Sequence, residues 1–292
     1  MLVDHLSNLF EFLADHSQDH ARDTSLYRFV EGLTTAAFHE VQPAFEAGKK
    51  VAIAEVGSII LPYEKMGAID SIDLFGLDEL LMFSFYYRNR GRYPRVADIG
   101  ANLGLHTILL SLCGSKVDAY EPDPVHHDKL VRNLALNGVK DCTVHKAAVS
   151  EKDGSMQFVR VLGNTTSSHL AGAKANPYGE LERFDVPVHD IKAIAERVDL
   201  FKIDAEGHEA VLLNALPIEA WKRVDAFVEI GTPENARAVF DRFSESGVNI
   251  FSQKRGWARV ELIADMPVTY KEGGIFISAK PVMPWDADTS NS

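Results

Sequence analysis

Asp98-Ile99-Gly100-Ala101-Asn102-Leu103-Gly104 joins a short apolar run to an amphipathic one, with an acid at the junction and glycines four residues apart. Read as a strand running into a helix, this is the ligand crevice of a doubly wound sheet. Amides at such a helix start hold a carboxylate or a phosphate. The glycine spacing discriminates between ligands. A dinucleotide fingerprint is GxGxxG, whose second glycine lets the backbone approach a pyrophosphate. Here the spacing is GxxxG and Asn102 takes that place, which disfavours a dinucleotide; no GK[ST] follows, which disfavours a nucleoside triphosphate. A ligand with an amino acid part and a nucleoside part fits better. Asp98 can face its ammonium and the loop amides its carboxylate. Glu121 lies 23 residues after Asp98, at the tip of the next strand, where a carboxylate accepts both ribose hydroxyls. The competing reading makes Glu121 an acidic turn residue before Pro122 at a helix start. Ala147-Ala148-Val149-Ser150 ends a third strand; its small residues leave a flat slot for adenine or close the strand end for packing.

The elements that must position these residues follow from periodicity. From Pro94, strand and helix patterns alternate with short connections: RVADIG, LGLHTILLSLC, KVDAYEP, PVHHDKLVRNLALNG and CTVHKAAVS. That alternation predicts βαβ units and a mostly parallel sheet. Asn137-Gly138 suits a helix C-cap. A hairpin-like insertion (154–163) and a polar stretch (164–183) interrupt, and the alternation resumes with VDLFKID, EGHEAVLLNAL, RVDAFVEI, PENARAVFDRFSESG and VNIFSQ. GGIFISAK (273–280) reads as the last strand. Residues 1–47 read as amphipathic helices, 50–61 as extended chain broken at Gly57, and 78–90 as a helix packed between layers.

DIGANLG, EPDP, NLALNG, KAAVS with a following DG, FKIDAEGHEAVL and a strand ending in Glu229 together resemble the FkbM-type class I S-adenosylmethionine-dependent methyltransferases. The resemblance covers residues 94–231, and KIDAEGHE is its most distinctive element. It implies a Rossmann-like, seven-stranded, mostly parallel sheet with a reversed last strand. It implies S-adenosylmethionine bound across DIGANLG with Glu121 on the ribose. The cofactor contacts expected are Asp98, Gly100, Ala101, Asn102, Gly104, Leu105, His106, Glu121, Pro122, Ala148 and Asp204. Family members are mostly O-methyltransferases of natural products or sugars, so a small-molecule hydroxyl is the expected acceptor, with a glycan or protein side chain, or a non-catalytic nucleoside-binding module, as alternatives.

Methyl transfer to an alcohol needs in-line positioning and loss of a proton. Asp204 follows the apolar run VDLFKI and should emerge beside the DIGANLG loop, with Glu206, His208 and Glu229 nearby. This cluster is expected to deprotonate or orient the acceptor, with His208 the base by its ordinary pKa. The alternative is Mg²⁺ held by Asp204, Glu206 and Glu229; no ligand spacing compels it, and no metal is expected. The structural reading has Asp204 capping the next helix, with Glu206 at its positive end and His208 solvated. His106 is either a wall of the methionine pocket or a plain helix residue. His126 and His127 read as solvated, Lys202 as snorkelling or paired with an acid, and the arginines of RNRGRYPR (88–95) as a solvated loop ahead of the alternative, a contact for an anionic substrate. The 164–183 stretch reads as a lid.

Composition bounds the rest. The 292 residues are 46% hydrophobic and 25% charged, with a net charge of −12. That balance counts against nucleic acid and anionic membrane as partners. No apolar run is long enough to span a bilayer, and the N-terminus lacks a basic leader pattern. Cys113 and Cys142 give neither a disulfide framework nor a metal motif, so a cytoplasmic protein is expected. The expected organisation is an N-terminal helical and β-hairpin extension (1–93) acting as cap or homodimer element, a catalytic domain (94–280) and a flexible tail (281–292).

Overall fold

The structure is a computed structural model that describes residues 6–53, 57–67, 69–173 and 179–285. Helices α1 (Leu6–Asp15) and α2 (Ser25–Glu46) come first, then the hairpin β1 (Val51–Ile53) and β2 (Gly57–Ile59), then α3 (Leu77–Arg88). The α2 start is fixed by Thr24, whose side chain accepts from the Tyr27 amide at 3.1 Å, an N-cap. The alternating region runs β3 (Arg95–Ile99), α4 (Leu105–Leu112), β4 (Lys116–Tyr120), α5 (Pro124–Leu136) and β5 (Cys142–His145). Asp123 caps α5 and Pro124 occupies its first turn, while Gly138, at φ +65°, takes the left-handed position after its end. The expected strand CTVHKAAVS is two strands: β5 stays in the main sheet and β6 (Ala148–Ser150) starts a second one with β7 (Gly154–Val161), β8 (His169–Leu170) and β9 (Leu181–Asp190). Then follow α6 (Ile191–Ala195), β10 (Leu200–Ile203), α7 (Glu209–Ala215), β11 (Asp225–Glu229), α8 (Pro233–Phe243), β12 (Asn249–Ser252), β13 (Ala258–Arg259) and β14 (Gly274–Ser278).

The main sheet has the order β13-β12-β14-β11-β10-β3-β4-β5. Strands β5, β4, β3, β10 and β11 pair in parallel, and β14 enters antiparallel between β11 and β12. This is the expected Rossmann-like class I sheet with its reversed last strand, extended by the two-residue β13. Period-2 alternation divides the sheet's faces. Val96, Leu200 and Phe227 enter a core shared with α3, α4, α5 and the N-terminal helices. Ala97, Phe201, Ala226 and Val228 enter the other, with α6, α7 and α8. Phe10, Tyr27, Phe38 and Phe45 lie in the first core, so the N-terminal helices are part of the sheet's own packing.

Two contacts tie this N-terminal region to the second sheet. Gly67 bridges Asn164, and the Thr165 amide donates to the Met66 carbonyl at 3.1 Å. Gly67 has φ +95° and its backbone lies so close to the Gly163 carbonyl that any Cβ would overlap it. The stretch expected to fray from Pro281 is docked as far as Trp285. Met283 and Trp285 are buried, Trp285 packs edge-on against Phe85 at 5.3 Å, and Asn89 and Arg88 donate to the Pro284 and Trp285 carbonyls. Residues 286–292 lie outside the described residues. The docking arises because apolar side chains, sparse in the tail, meet an aromatic hub already built from Phe85, Phe227 and Trp257. Replacing Trp285 by Ala should therefore cost about 3 kcal/mol of unfolding free energy; an unchanged urea midpoint would mean the tail does not dock.

Candidate active site

A cavity of about 560 Å³ opens at the carboxyl edge of the parallel strands, a size typical of small-molecule sites. Its floor comes from the ends of β3, β4, β6, β10 and β11: Gly100, Glu121, Ala148, Asp204 and Glu229 all line it. Its roof comes from residues 164–170 of the insertion together with Ile69, Asp73 and Leu74 of the N-terminal region.

One half is built on the DIGANLG loop. Gly100 (φ +77°) passes so near the Asp204 carbonyl that a Cβ would collide with it. The Gly100 and Ala101 amides both donate to the Tyr120 carbonyl at 3.0 Å, which fixes the loop against β4. Asn102 takes the left-handed conformation at φ +52°, one its short polar side chain tolerates. Its amide donates to Glu121 Oε2 at 2.8 Å, and Glu121 Oε1 accepts from the Asp123 amide at 2.8 Å. Burial pushes the Glu121 carboxyl up to about 8, against the opposing pull of those two amides. Ala148, Val149 and Tyr120 complete this end with small and flat surfaces.

The other half is acidic. Asp204, Glu206 and Glu229 line it, joined by Glu79 from α3. Glu206 sits at φ +51° and Gly207 at φ +105°, a reversal that turns His208 away from the cavity before α7 begins. Glu209 locks that reversal: its carboxylate accepts from the Ala205 and Gly207 amides at 3.0 Å and from Asn235 Nδ2 at 2.6 Å. Burial raises the Glu209 carboxyl to about 7. Glu229 is the exposed end of β11 and opens onto the cavity. The surrounding protein, then the charges of Asp204, Glu79 and Glu206, push its carboxyl well above the ordinary range, with Lys202 opposing. Burial alone would raise Glu79 too, but His106 and Lys202 bring it below its usual value.

The candidate residues do not all meet. Gly100, Asn102, Glu121, Pro122, Ala148, Asp204, Glu206 and Glu229 line the cavity, whereas Asp98, Ala101, Gly104, Leu105, His106 and His208 do not. Asp98 is fully buried, accepts from Thr107 Oγ1 at 2.6 Å and lies 3.7 Å from Lys202 Nζ; it braces the loop from behind. His106 bridges Glu79 Oε2 (2.7 Å) and the Tyr86 hydroxyl (3.1 Å), so it supports a wall residue. His208 corrects the expectation of a catalytic base. The reversal at Gly207 turns its ring to Ser150 Oγ at 2.8 Å, buried behind the floor, and burial lowers its pKa. His126 corrects the expectation of a solvated ring: it is buried, lines the cavity, and its Nε2 lies 2.9 Å from Thr165 Oγ1 of the roof. The arginine run is structural: Arg88 pairs with Asp15, Arg90 lies 3.7 Å over the Tyr87 ring, and Arg95 pairs with Asp199. Glu79, Asp73, Thr232 and Tyr270 line the cavity without any sequence signal beyond, for Glu79, the apolar helix that carries it. Among the described residues no group of three or more His, Cys, Asp and Glu has a metal-holding arrangement, and no helix is long and apolar enough to cross a membrane.

The strand order with β14 reversed, and a cavity over the β3 and β10 ends, define a class I methyltransferase architecture. The sequence model of the methyltransferase FkbM domain matches residues 98–250, just over half the chain. The chain belongs to that family of methyltransferases. It is similar to the methyltransferase sdnD of Sordaria araneosa, 29% identical over 200 residues that cover 56% of this chain and 77% of that protein. It is also similar to methyltransferase 1 of Beauveria bassiana, 26% identical over 192 residues, covering 57% and 77%. An O-methyltransferase structure from Bacillus cereus in complex with SAH is similar at a TM-score of 0.37 and 12% identity over 67% of this chain and 77% of that one, too loose a likeness to build on.

The His208 burial has a pH signature. A depressed imidazole pKa gives stability that is present above pH 6.5 and lost as pH falls below it, because the folded protein must then charge a buried ring. His208→Ala should cost about 1 kcal/mol at pH 7.5 through the lost hydrogen bond, and the cost should shrink towards pH 5.5. Urea unfolding at both pH values measures this; a cost that grows on acidification would place His208 in an ion pair instead.

Proposed function

We propose that the chain is an S-adenosylmethionine-dependent methyltransferase that methylates a hydroxyl of a small molecule. The observation that carries this reading is that a single cavity joins Glu121, at the nucleoside end, to the carboxylates of Asp204, Glu206 and Glu229. The residues present fit the cofactor. Asn102 Oδ1 is buried without a hydrogen-bond partner, a polar atom waiting for a donor. Glu121, held by two backbone amides, would take the ribose hydroxyls, and the slot at Ala148 and Val149 would take the base. Bound there, S-adenosylmethionine supplies a methyl group made electrophilic by its sulfonium.

The chain's own contribution is to place an acceptor and take its proton. Glu229 is the fitting proton acceptor, since a base works best when its pKa lies nearer the working pH than that of a free carboxylate. Asp204 and Glu206 orient the hydroxyl, and the roof of Thr165, Thr166 and Ser168 closes over it. The size of the cavity favours a small acceptor over a macromolecule, and the net charge of −12 disfavours a polyanion.

Titration calorimetry tests the cofactor: S-adenosylmethionine should bind and NAD should not, and the reverse would refute the reading. Glu121→Ala should weaken S-adenosylmethionine binding about 10-fold, the upper range for an ordinary hydrogen bond; equal affinity would remove Glu121 from the ribose. With an acceptor found by screening hydroxylated small molecules for S-adenosylhomocysteine release, Glu229→Gln should cut turnover about 100-fold or more while cofactor affinity holds. Full turnover would take Glu229 out of the mechanism.

A further inference from the structure

Lys202 is the one residue of the KIDAEGHE segment whose chemistry is left over. It sits on β10, in register with Asp98 on β3. Paired residues of parallel strands project from the same face, and period 2 puts Asp204 and, beyond Phe227, Glu229 on that face too. The lysine side chain is only 8% exposed. Its Nζ donates to the Gly100 carbonyl at 3.2 Å, and lies 3.6 Å from Asp204 Oδ2 and 3.7 Å from Asp98 Oδ1. A buried ammonium with this little solvent must be compensated by the protein. The acids that act on it are Asp204 from the loop after β10, Asp98 from β3, Glu79 from α3 with His106 of α4 behind it, Glu229 from β11 and Glu121 from the end of β4, while Glu206 acts on Glu229.

We propose that Lys202 is a positioning residue of this site: its ammonium ties the DIGANLG loop to the loop after β10 and sets the protonation of Glu229 on the acceptor side. The proposal rests on the reading of Glu229 as proton acceptor. The geometry supports both parts. One hydrogen bond fixes the Gly100 carbonyl, and the same charge, on the sheet face that carries Glu229 one strand away, opposes the carboxylates that raise it. Burial lowers a lysine pKa, but the surrounding carboxylates overcome it and Lys202 stays charged.

The test is carboxyl NMR of the ligand-free protein, with the Glu229 signal assigned by its loss in Glu229→Gln. Lys202→Met should raise the Glu229 titration midpoint by about one unit or more, the effect of losing a nearby opposite charge, and Lys202→Arg should keep it near wild type. Should Lys202→Met fail to fold, Lys202→Gln removes the charge while keeping a donor for Gly100, and the same rise is expected. An unmoved midpoint in whichever neutral variant folds overturns the proposal. The acid limb of the turnover profile should follow the NMR shift. A midpoint that moves while the limb stays put upholds the electrostatic role of Lys202 and instead refutes Glu229 as the base.

Discussion

The backbone of Gly100 against the carbonyl of Asp204 is the contact on which the site depends. The two residues follow strands that are neighbours in the sheet and about a hundred positions apart in the chain. Their loops must part to leave a crevice, yet stay close enough to share a ligand. Only a residue without a Cβ, at a positive φ, lets the first loop pass beneath the second. From that junction one loop leads to Asn102 and Glu121, the other to Glu206 and, across β11, to Glu229. Any side chain at position 100 would push the two halves of the cavity apart.

The same junction explains the electrostatics. Carboxylates collected at one sheet edge repel each other and resist burial, so a cavity of this kind needs either water, protons or a fixed cation. It uses all three. Glu229 and Glu121 are drawn towards their protonated forms by enclosure, Asp204 keeps contact with solvent, and Lys202 supplies the cation from the floor. Glu79 is spared the rise because His106 backs it directly. Acids in one pocket thus differ in protonation because their partners differ, which is the condition for one to hold a proton while another gives up its own.

Much of this was legible in the sequence because it is local. The strand–DIGANLG–helix pattern, the carboxylate at the tip of β4 and the apolar run before Asp204 each fix a residue at the sheet edge through chain direction alone. What was not legible is direction after the edge. His208 is four positions after Asp204, and a continuing chain would keep both in view of the cavity; Glu206 and Gly207 at positive φ reverse it and send the ring to Ser150. The Gly207 in that segment was the available signal. His126 misled for a different reason: its helix has charged neighbours, and only the fold brings Thr165, 39 positions away, against it. The tail misled because its composition is polar on average, while two side chains, Met283 and Trp285, decide its position.

The N-terminal 93 residues change meaning once the roof is considered. Their helices share a core with the sheet, so they cannot be a loosely attached cap. Their Ile69, Asp73 and Leu74 form part of the roof, Met66 and Gly67 pin the Asn164–Thr165 turn, and their α3 projects Glu79 into the acidic half. The floor is made by the motif-bearing strands, whose close Gly100–Asp204 approach tolerates little change. The opposite wall is made by segments held by packing and a few hydrogen bonds outside the motif strands, so substitutions there should alter the cavity without disturbing the Gly100–Asp204 junction. A fold that divides labour in this way can hold one reaction constant and vary what it acts upon, and the absence of a readable motif in that wall is the physical consequence.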